Sequence, residues 1–328
     1  MENSCRQEPD CLQVEMMLMN RLAGSSHQPL QEISVSNLDV AFIDVFAASP
    51  LNGNPLAVVL GGDDLSDDTL RAVAREFNQS ETTFVLAPVA VGADRKLRSF
   101  TASGAEVFGA GHNALGAWLW LAETGRLGTL DQEREFRQEI GPHVLPVRVR
   151  MEGGRATASM TQASPEFLGY VRNLPELAEA LGIDPGDLSD GPLPQVVSTG
   201  APHLLVSVRT RAEVDKASPD AQRLLLQLRA AQGEGCYLFS TEQVGDDLTA
   251  YARFFNPTVG LWEDSATGTA AGPLAALLDA HGLVQQGRSV VIEQGRSMGR
   301  PSRLAIDLQD GVKLSGSGVI VMTGSLML

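Results

Sequence analysis

The stretch GAGHNALGAWLWLAETG, Gly109 to Gly125, carries scarcely a polar side chain after Asn113, and from Ala114 to Ala122 it is apolar on every side. A helix without a polar face is buried all round. The chain holds no run of about 18 consecutive apolar residues, so this segment does not cross a membrane. It must be surrounded by its own fold. A second helix of this kind, built of Ala, Gly and Leu, is expected from about Gly268 to Ala280, within EDSATGTAAGPLAALLDA. The approaches to the two helices also match. Arg98-x-Phe100-Thr101 precedes Gly111 by a short loop, and Arg253-x-Phe255-Asn256 precedes Gly268 by one two residues longer. The arginines lie 155 positions apart, near half the chain that reads as ordered, which suggests an internal duplication. The expected architecture is α+β: two pseudo-symmetric lobes, each a curved, mostly antiparallel sheet or barrel around a central helix. A ligand would sit in the cleft between them.

Composition sets the outer bounds. The 328 residues suffice for two domains, and 43% hydrophobic with 20% charged residues describes a globular chain. The net charge of −15 speaks against a nucleic-acid surface. Cys5, Cys11 and Cys236 have no metal-ligand spacing and form no disulfide framework, which makes a reducing compartment, the cytoplasm, the expected location. Residues 1–37 are polar and aperiodic and read as an N-terminal extension. The first lobe is expected over 38–162 and the second over 163–328.

DVAFIDVFA (Asp39 to Ala47) and LAVVL (Leu56 to Leu60) read as strands joined by the turn LNGNP. Ser66 caps a helix with Asp67 and Asp68 in its first turn and Leu70, Val73, Ala74 and Phe77 on one stripe. Glu81 then opens the strand TTFVLAP, and KLRSFTA follows. In the second half, NLPELAEALGI and SPDAQRLLLQLRAAQ are helical. VVSTGAPHLLVSV reads as strand, glycine turn, strand, and CYLFS as a further strand.

Both buried helices open on glycine-led turns: Gly109-Ala110-Gly111-His112-Asn113 and Glu263-Asp264-Ser265-Ala266-Thr267-Gly268-Thr269. A helix start presents unpaired N–H groups and the positive dipole end, which together hold carboxylates and developing enolates. Plainer readings stand beside this one. Asp264, Ser265 or Thr267 can be simple N-caps, His112 a hydrogen-bonded core residue, Glu81 an exposed junction residue, and Glu263-Asp264 a solvated acidic pair. Gly109-x-Gly111-x-x-Ala114 matches the loose dinucleotide fingerprint, but Thr124 to Arg134 reads as a polar loop where a strand ending in an acid belongs. Five scattered histidines form no metal motif, and Lys96, Lys216 and Lys313 sit in no setting distinctive of a Schiff base. With no P-loop and no G-x-S-x-G elbow either, acid–base chemistry without metal or cofactor is what remains. Its carriers would be Glu81, His112 and Asp264.

At these residues the chain resembles the phenazine-biosynthesis PhzF-like family, whose fold is shared with diaminopimelate epimerase and proline racemase. The resemblance rests on DVFAASPLNGNPLAVVL, LRAVAREFNQSETTFV, FTASGAEVFGAGHNALGA, STGAPHLLV and EDSATGTAAGPLAALL, spread over most of 39 to 325. It implies a glutamate, here Glu81, that moves a proton between carbons of a small ring carboxylate, with His112 and Asp264 as active-site partners. Ser80, Gly111, Asn113, Gly268 and Thr269 would bind substrate. The turns at Gly111 and Gly268-Thr269 stand where the epimerase relatives carry two cysteines. No cysteine of this chain is near either, so a one-carboxylate mechanism fits better. Burial is expected to raise the pKa of Glu81. Asn113, Ala102-Ser103, Ser265 and Thr269 depart from the family's usual residues and bear on which substrate fits. The resemblance also implies that two copies can pair as a homodimer. The leading expectation is a cofactor-independent isomerase or epimerase, with a place in secondary metabolism. A lyase or cyclase using the same glutamate, and a non-catalytic binding module, are the alternatives.

Overall fold

Eight strands close into a ring around the apolar helix of the first half. The computed structural model describes residues 37–243, 247–285 and 287–328. The expected extension lies outside the described residues except for Asn37. The first half runs β1 (Asn37–Val45), β2 (Asn54–Leu60), α1 (Asp67–Phe77), β3 (Glu81–Leu86), β4 (Arg95–Thr101), β5 (Glu106–Val107), α2 (His112–Glu123), β6 (Arg134–Ile140), β7 (His143–Glu152) and β8 (Arg155–Thr161). The second runs β9 (Glu166–Tyr170), α3 (Leu174–Leu181), β10 (Gln195–Ser198), β11 (Pro202–Ser207), α4 (Arg211–Lys216), α5 (Ala221–Ala231), β12 (Gly235–Ser240), β13 (Ala250–Asn256), β14 (Leu261–Asp264), α6 (Gly268–Ala280), β15 (Val290–Gln294), β16 (Ser302–Asp307) and β17 (Lys313–Met327).

The ring passes β1, β2, β3, β4, β6, β7, β8 and β17 and returns to β1. Of its pairings, β2 with β3 and β4 with β6 are parallel, while β1 with β2, β3 with β4, β6 with β7, β7 with β8 and β8 with β17 are antiparallel. Within it, every residue of α2 from His112 to Ala122 is buried. That burial is the consequence of its composition: each Leu or Trp removed from water there contributes on the order of 1.5–3 kcal/mol. The Trp118 indole N–H donates to Gln138 Oε1 at 2.8 Å. Gly116 is where the helix touches the wall, since a Cβ there would stand 2.5 Å from Leu56. The wall's alternation serves two cores. Leu56 and Val58 pack with α2, while Val59 packs with α1 on the outside.

The second half repeats the scheme. Strand β11 pairs in parallel with β12, β12 antiparallel with β13, β13 in parallel with β15, and β15 and β16 continue the sheet antiparallel. Helix α6 packs on β10, β11 and β16, while α3, α4 and α5 join a separate core on the other face of this sheet. The duplication is atomic in detail. Arg98 faces Phe84 and Arg253 faces Leu238 across equivalent strand pairs. Each guanidinium makes two 2.8 Å bonds to a glutamate, Arg98 to Glu106 and Arg253 to Glu263. Ser99 pairs with Val107 as Phe254 pairs with Asp264, so Gly111 and Gly268 stand at matching positions. The two extra residues of the second loop fall in the short turn Pro257–Val259. Glu263 is no solvated acid: its side chain is 9% exposed and held by Arg253.

Strand β17 belongs to both halves. A Cβ on Gly268 of α6 would stand 2.5 Å from Leu314, and one on Gly318 would stand 3.1 Å from Leu119 of α2.

Candidate active site

The geometry of Glu81 is set by what precedes it. Ser66 caps α1 through the Thr69 N–H, and the helix ends at Asn78, which takes the left-handed conformation (φ 51°) that asparagine tolerates. Only Gln79 and Ser80 then separate the helix end from β3. Glu81 is the first residue of that strand, flanked by Leu56 of β2 and Thr101 of β4. Its side chain is 20% exposed, and Oε2 lies 2.9 Å from His112 Nε2 at the start of α2. The contact is one of charge: Oε2 is buried and has no aligned hydrogen-bond donor. Ser80 Oγ stands 3.3 Å from the same His112 nitrogen and 3.2 Å from Asn54 Oδ1.

Asn54 carries the network across to the other half. Its Nδ2 donates to Asp264 Oδ1 at 2.8 Å and to the Ala266 carbonyl at 3.0 Å. The Thr267 hydroxyl donates to Asp264 Oδ2 at 2.6 Å, so Thr267 braces the aspartate and makes no side-chain cap on α6. Gln294 donates to the Asp264 carbonyl and in turn accepts from the Tyr237 hydroxyl, each within 2.8 Å. Asn113 is turned inward on the loop: its Oδ1 accepts from Gly111 N at 2.8 Å, and its Nδ2 donates to the Ser99 hydroxyl and the Gly109 carbonyl, each at 3.0 Å. That self-capping explains why a polar residue fits at the start of an apolar helix. Asn113 therefore shapes the turn with its side chain.

Ser80, Glu81, Gly111, His112, Asn113, Asp264, Gly268 and Thr269 all line one cavity of about 530 Å³. The structure thus gathers every sequence-predicted site residue in one place. It adds two that the sequence reading passed over. Asn54 was hidden in a segment read as a plain turn. His203, also lining the cavity, sits at the start of a strand as the only titratable residue of GAPHLLV.

The electrostatics correct one expectation. Burial does push the Glu81 carboxyl up, but the His112 ring and the Ser80 hydroxyl outweigh it, and the net direction is down. Burial pulls His112 down, and the Glu81 carboxylate, assisted by Asp264, reverses that to a net rise. The two form an ion pair at rest. Asp264 goes the other way: removal from water raises it, and neither His112 nor its hydrogen bonds cancel the rise. Cys236 is buried in the core on the far face of the second sheet, where burial pushes its thiol up to about 12; it is no candidate for proton transfer. Among the described residues no three His, Cys, Asp or Glu side chains converge as a metal site would require, and no helix is long and apolar enough to cross a membrane.

This arrangement has relatives. A curated trans-2,3-dihydro-3-hydroxyanthranilate isomerase from Pseudomonas chlororaphis is 35% identical over 294 residues, spanning 87% of this chain and 98% of its own. A predicted epimerase from Pseudomonas aeruginosa superposes with a TM-score of 0.76 at 32% identity, covering 88% of this chain and 99% of that one. A phenazine biosynthesis protein of the PhzF family from Bacillus anthracis has the same fold, with a TM-score of 0.79 at 24% identity over 89% and 100% of the two chains. The model of the family described as phenazine biosynthesis-like protein matches residues 43–324. With sequence and fold in agreement over that span, the chain belongs to the PhzF-like phenazine-biosynthesis family.

Proposed function

We propose that this protein is an isomerase that moves a proton on a small ring carboxylate, with Glu81 as the proton carrier and no cofactor in the chemistry. The observation that carries the reading is the placement of Glu81: its side chain lines the cavity between the starts of α2 and α6, with Oε2 held 2.9 Å from His112 Nε2. A base must begin ionised, and the ion pair with His112 keeps it so. Proton removal beside a carboxylate breaks a C–H bond, forms an O–H bond on the Glu81 carboxylate, and leaves the electron pair spread onto the substrate's carboxylate oxygens. The N–H groups and dipole ends of the two helices stabilise that charge. The low basicity that His112 imposes on Glu81 aids the second half of the cycle, when the proton returns to a different carbon. Asp264, fixed by Asn54 and Thr267, orients the substrate on the opposite side.

The likeness to the dihydro-hydroxyanthranilate isomerase names the first compound to test. Incubated with trans-2,3-dihydro-3-hydroxyanthranilate in D2O, the wild type should give a product of unchanged formula carrying deuterium at a ring carbon. Glu81→Gln should lower turnover by about two to four orders of magnitude, the usual worth of a general base. Loss of water, or near-normal turnover in folded Glu81→Gln, is the result against it.

A further inference from the structure

The two lobes match except at the point where proton transfer would occur, and that exception points to a second ligand contact. In the first lobe Leu56 of β2 faces Glu81, the first residue of β3. In the second, His203 of β11 faces Gly235, the first residue of β12. Gly235 has no room for a carboxylate, since even a Cβ would stand 2.4 Å from the Phe254 ring. The polar group has moved one strand over, to His203. Its ring is 3% exposed, stands edge-on to Phe254 at 5.0 Å, and reaches Thr269 Oγ1 with Nε2 at 3.1 Å. Its other nitrogen, Nδ1, is buried with no partner. His203 and Thr269 both line the cavity that Glu81 and His112 line.

A buried polar atom without a partner is costly to leave so, and a cavity wall is where a ligand can supply the partner. Burial holds the His203 pKa down at about 4, so the imidazole is neutral near pH 7. Either ring nitrogen can carry the proton, so Nδ1 either donates or accepts. A carboxylate can only accept, and in the reading above it is already served by the N–H groups at the helix starts. A hydroxyl or amino group does both. We infer that His203 is a specificity-determining residue, whose Nδ1 hydrogen-bonds a neutral hydroxyl or amino substituent on the substrate ring, with Thr269 fixing the imidazole through Nε2.

This inference rests on the ring-carboxylate reading above, and the test separates the two. The probes are benzoate and 3-hydroxyanthranilate, which share ring and carboxylate but differ in the neutral substituents. Calorimetric titration at pH 7 should show the wild type binding 3-hydroxyanthranilate about three- to tenfold more tightly than benzoate, the worth of one net hydrogen bond. His203→Leu should bring that ratio close to one. His203→Asn, whose amide can stand near the place of Nδ1, should largely keep it. Anthranilate and 3-hydroxybenzoate then show which substituent is read. A ratio unchanged in His203→Leu overturns the inference and leaves the ring-carboxylate reading intact. Failure of both acids to bind the wild type overturns both. Independently of any variant, the His203 Nδ1 resonance of nitrogen-15-labelled wild type should shift with 3-hydroxyanthranilate and not with benzoate. A resonance indifferent to both sinks the inference even if His203→Leu fails to fold.

Discussion

His112 and Glu81 form a pair that neither residue type announces. Either alone, at a helix start or a strand mouth, has an ordinary structural reading. Their chemistry comes from the 2.9 Å between them. The signs follow from that contact. His112 is raised above its ordinary 6.5, so its share of stability is full below that value and is lost as pH rises through the folded pKa. Glu81 is lowered from 4.5, so its share is present above that value and is lost as pH falls through the folded pKa. Both shares are therefore complete between about 4.5 and 6.5. Replacing Glu81 by Gln removes the main cause of the His112 rise, so the His112 titration midpoint, followed by NMR, should move down. A midpoint that stays put would mean that the pair is not formed. Ser80, Glu81, His112 and Asp264 could be picked out in the sequence because ordered motifs surround them. The direction of the Glu81 shift could not be, because it depends on a charge 31 positions away that only the fold brings into contact. Asn54 and His203 escaped for a related reason: one lies in a turn and the other in a strand, and each acts through partners more than 60 positions distant.

At the level of elements, the repeated Arg-x-Phe strand ends and their glutamates are the strongest trace of the duplication, and the two copies differ in burial. Arg98 and Glu106 each leave about a fifth of the side chain in water, while Arg253 and Glu263 are 9% exposed. Arg253 also donates to the carbonyls of Val214, Asp215 and Ala217, tying β13 to the end of α4. Taking away one partner of a buried pair leaves a charge stranded, at a cost of about 3–5 kcal/mol, and the cost falls as water reaches the pair. Urea unfolding should accordingly show Arg253→Met losing more stability than Arg98→Met. Equal losses would mean that the second pair is no better sheltered than the first. Because Glu263 precedes Asp264, Arg253→Met should also weaken ligand binding, which Arg98→Met should not. The small-residue helices were legible from composition alone, down to the ends of α6. Strands β6 and β7 were not, since their outward positions carry Arg and Glu and Pro146 interrupts the pattern. Their strand character comes from neighbours already in the ring.

At the scale of the whole molecule, the duplication does not make two independent bodies. Leu38–Leu326 form one compact unit, and the main hydrophobic cluster joins Trp118 and Leu119 of α2 to Leu274 and Leu278 of α6. Strand β17 covers both central helices, an arrangement that no local pattern in residues 313–327 foretells. The turn between β1 and β2 is bound to the second half as well. Arg300 donates to Asp44 Oδ1 at 2.5 Å and to the carbonyls of Asn52 and Gly53 at 2.9 Å, and Ser265 Oγ donates to the Gly53 carbonyl at 3.1 Å. These contacts lie beside Asn54, so the same joint that couples the halves also assembles the site. Unfolding should then be a single cooperative event. In a Trp262→Phe background, which removes the third tryptophan, fluorescence of Trp118 and Trp120 reports the first half, while thiol labelling of Cys236, followed on its own peptide, reports the second core. The two urea midpoints should coincide in that background. In Arg300→Met, which strands the buried Asp44 carboxylate at a cost of about 3–5 kcal/mol, both midpoints should fall together. If Cys236 labels well before the tryptophan signal changes, the halves unfold separately, and the joint around Asn54 and Arg300 is too weak to hold the cavity in shape.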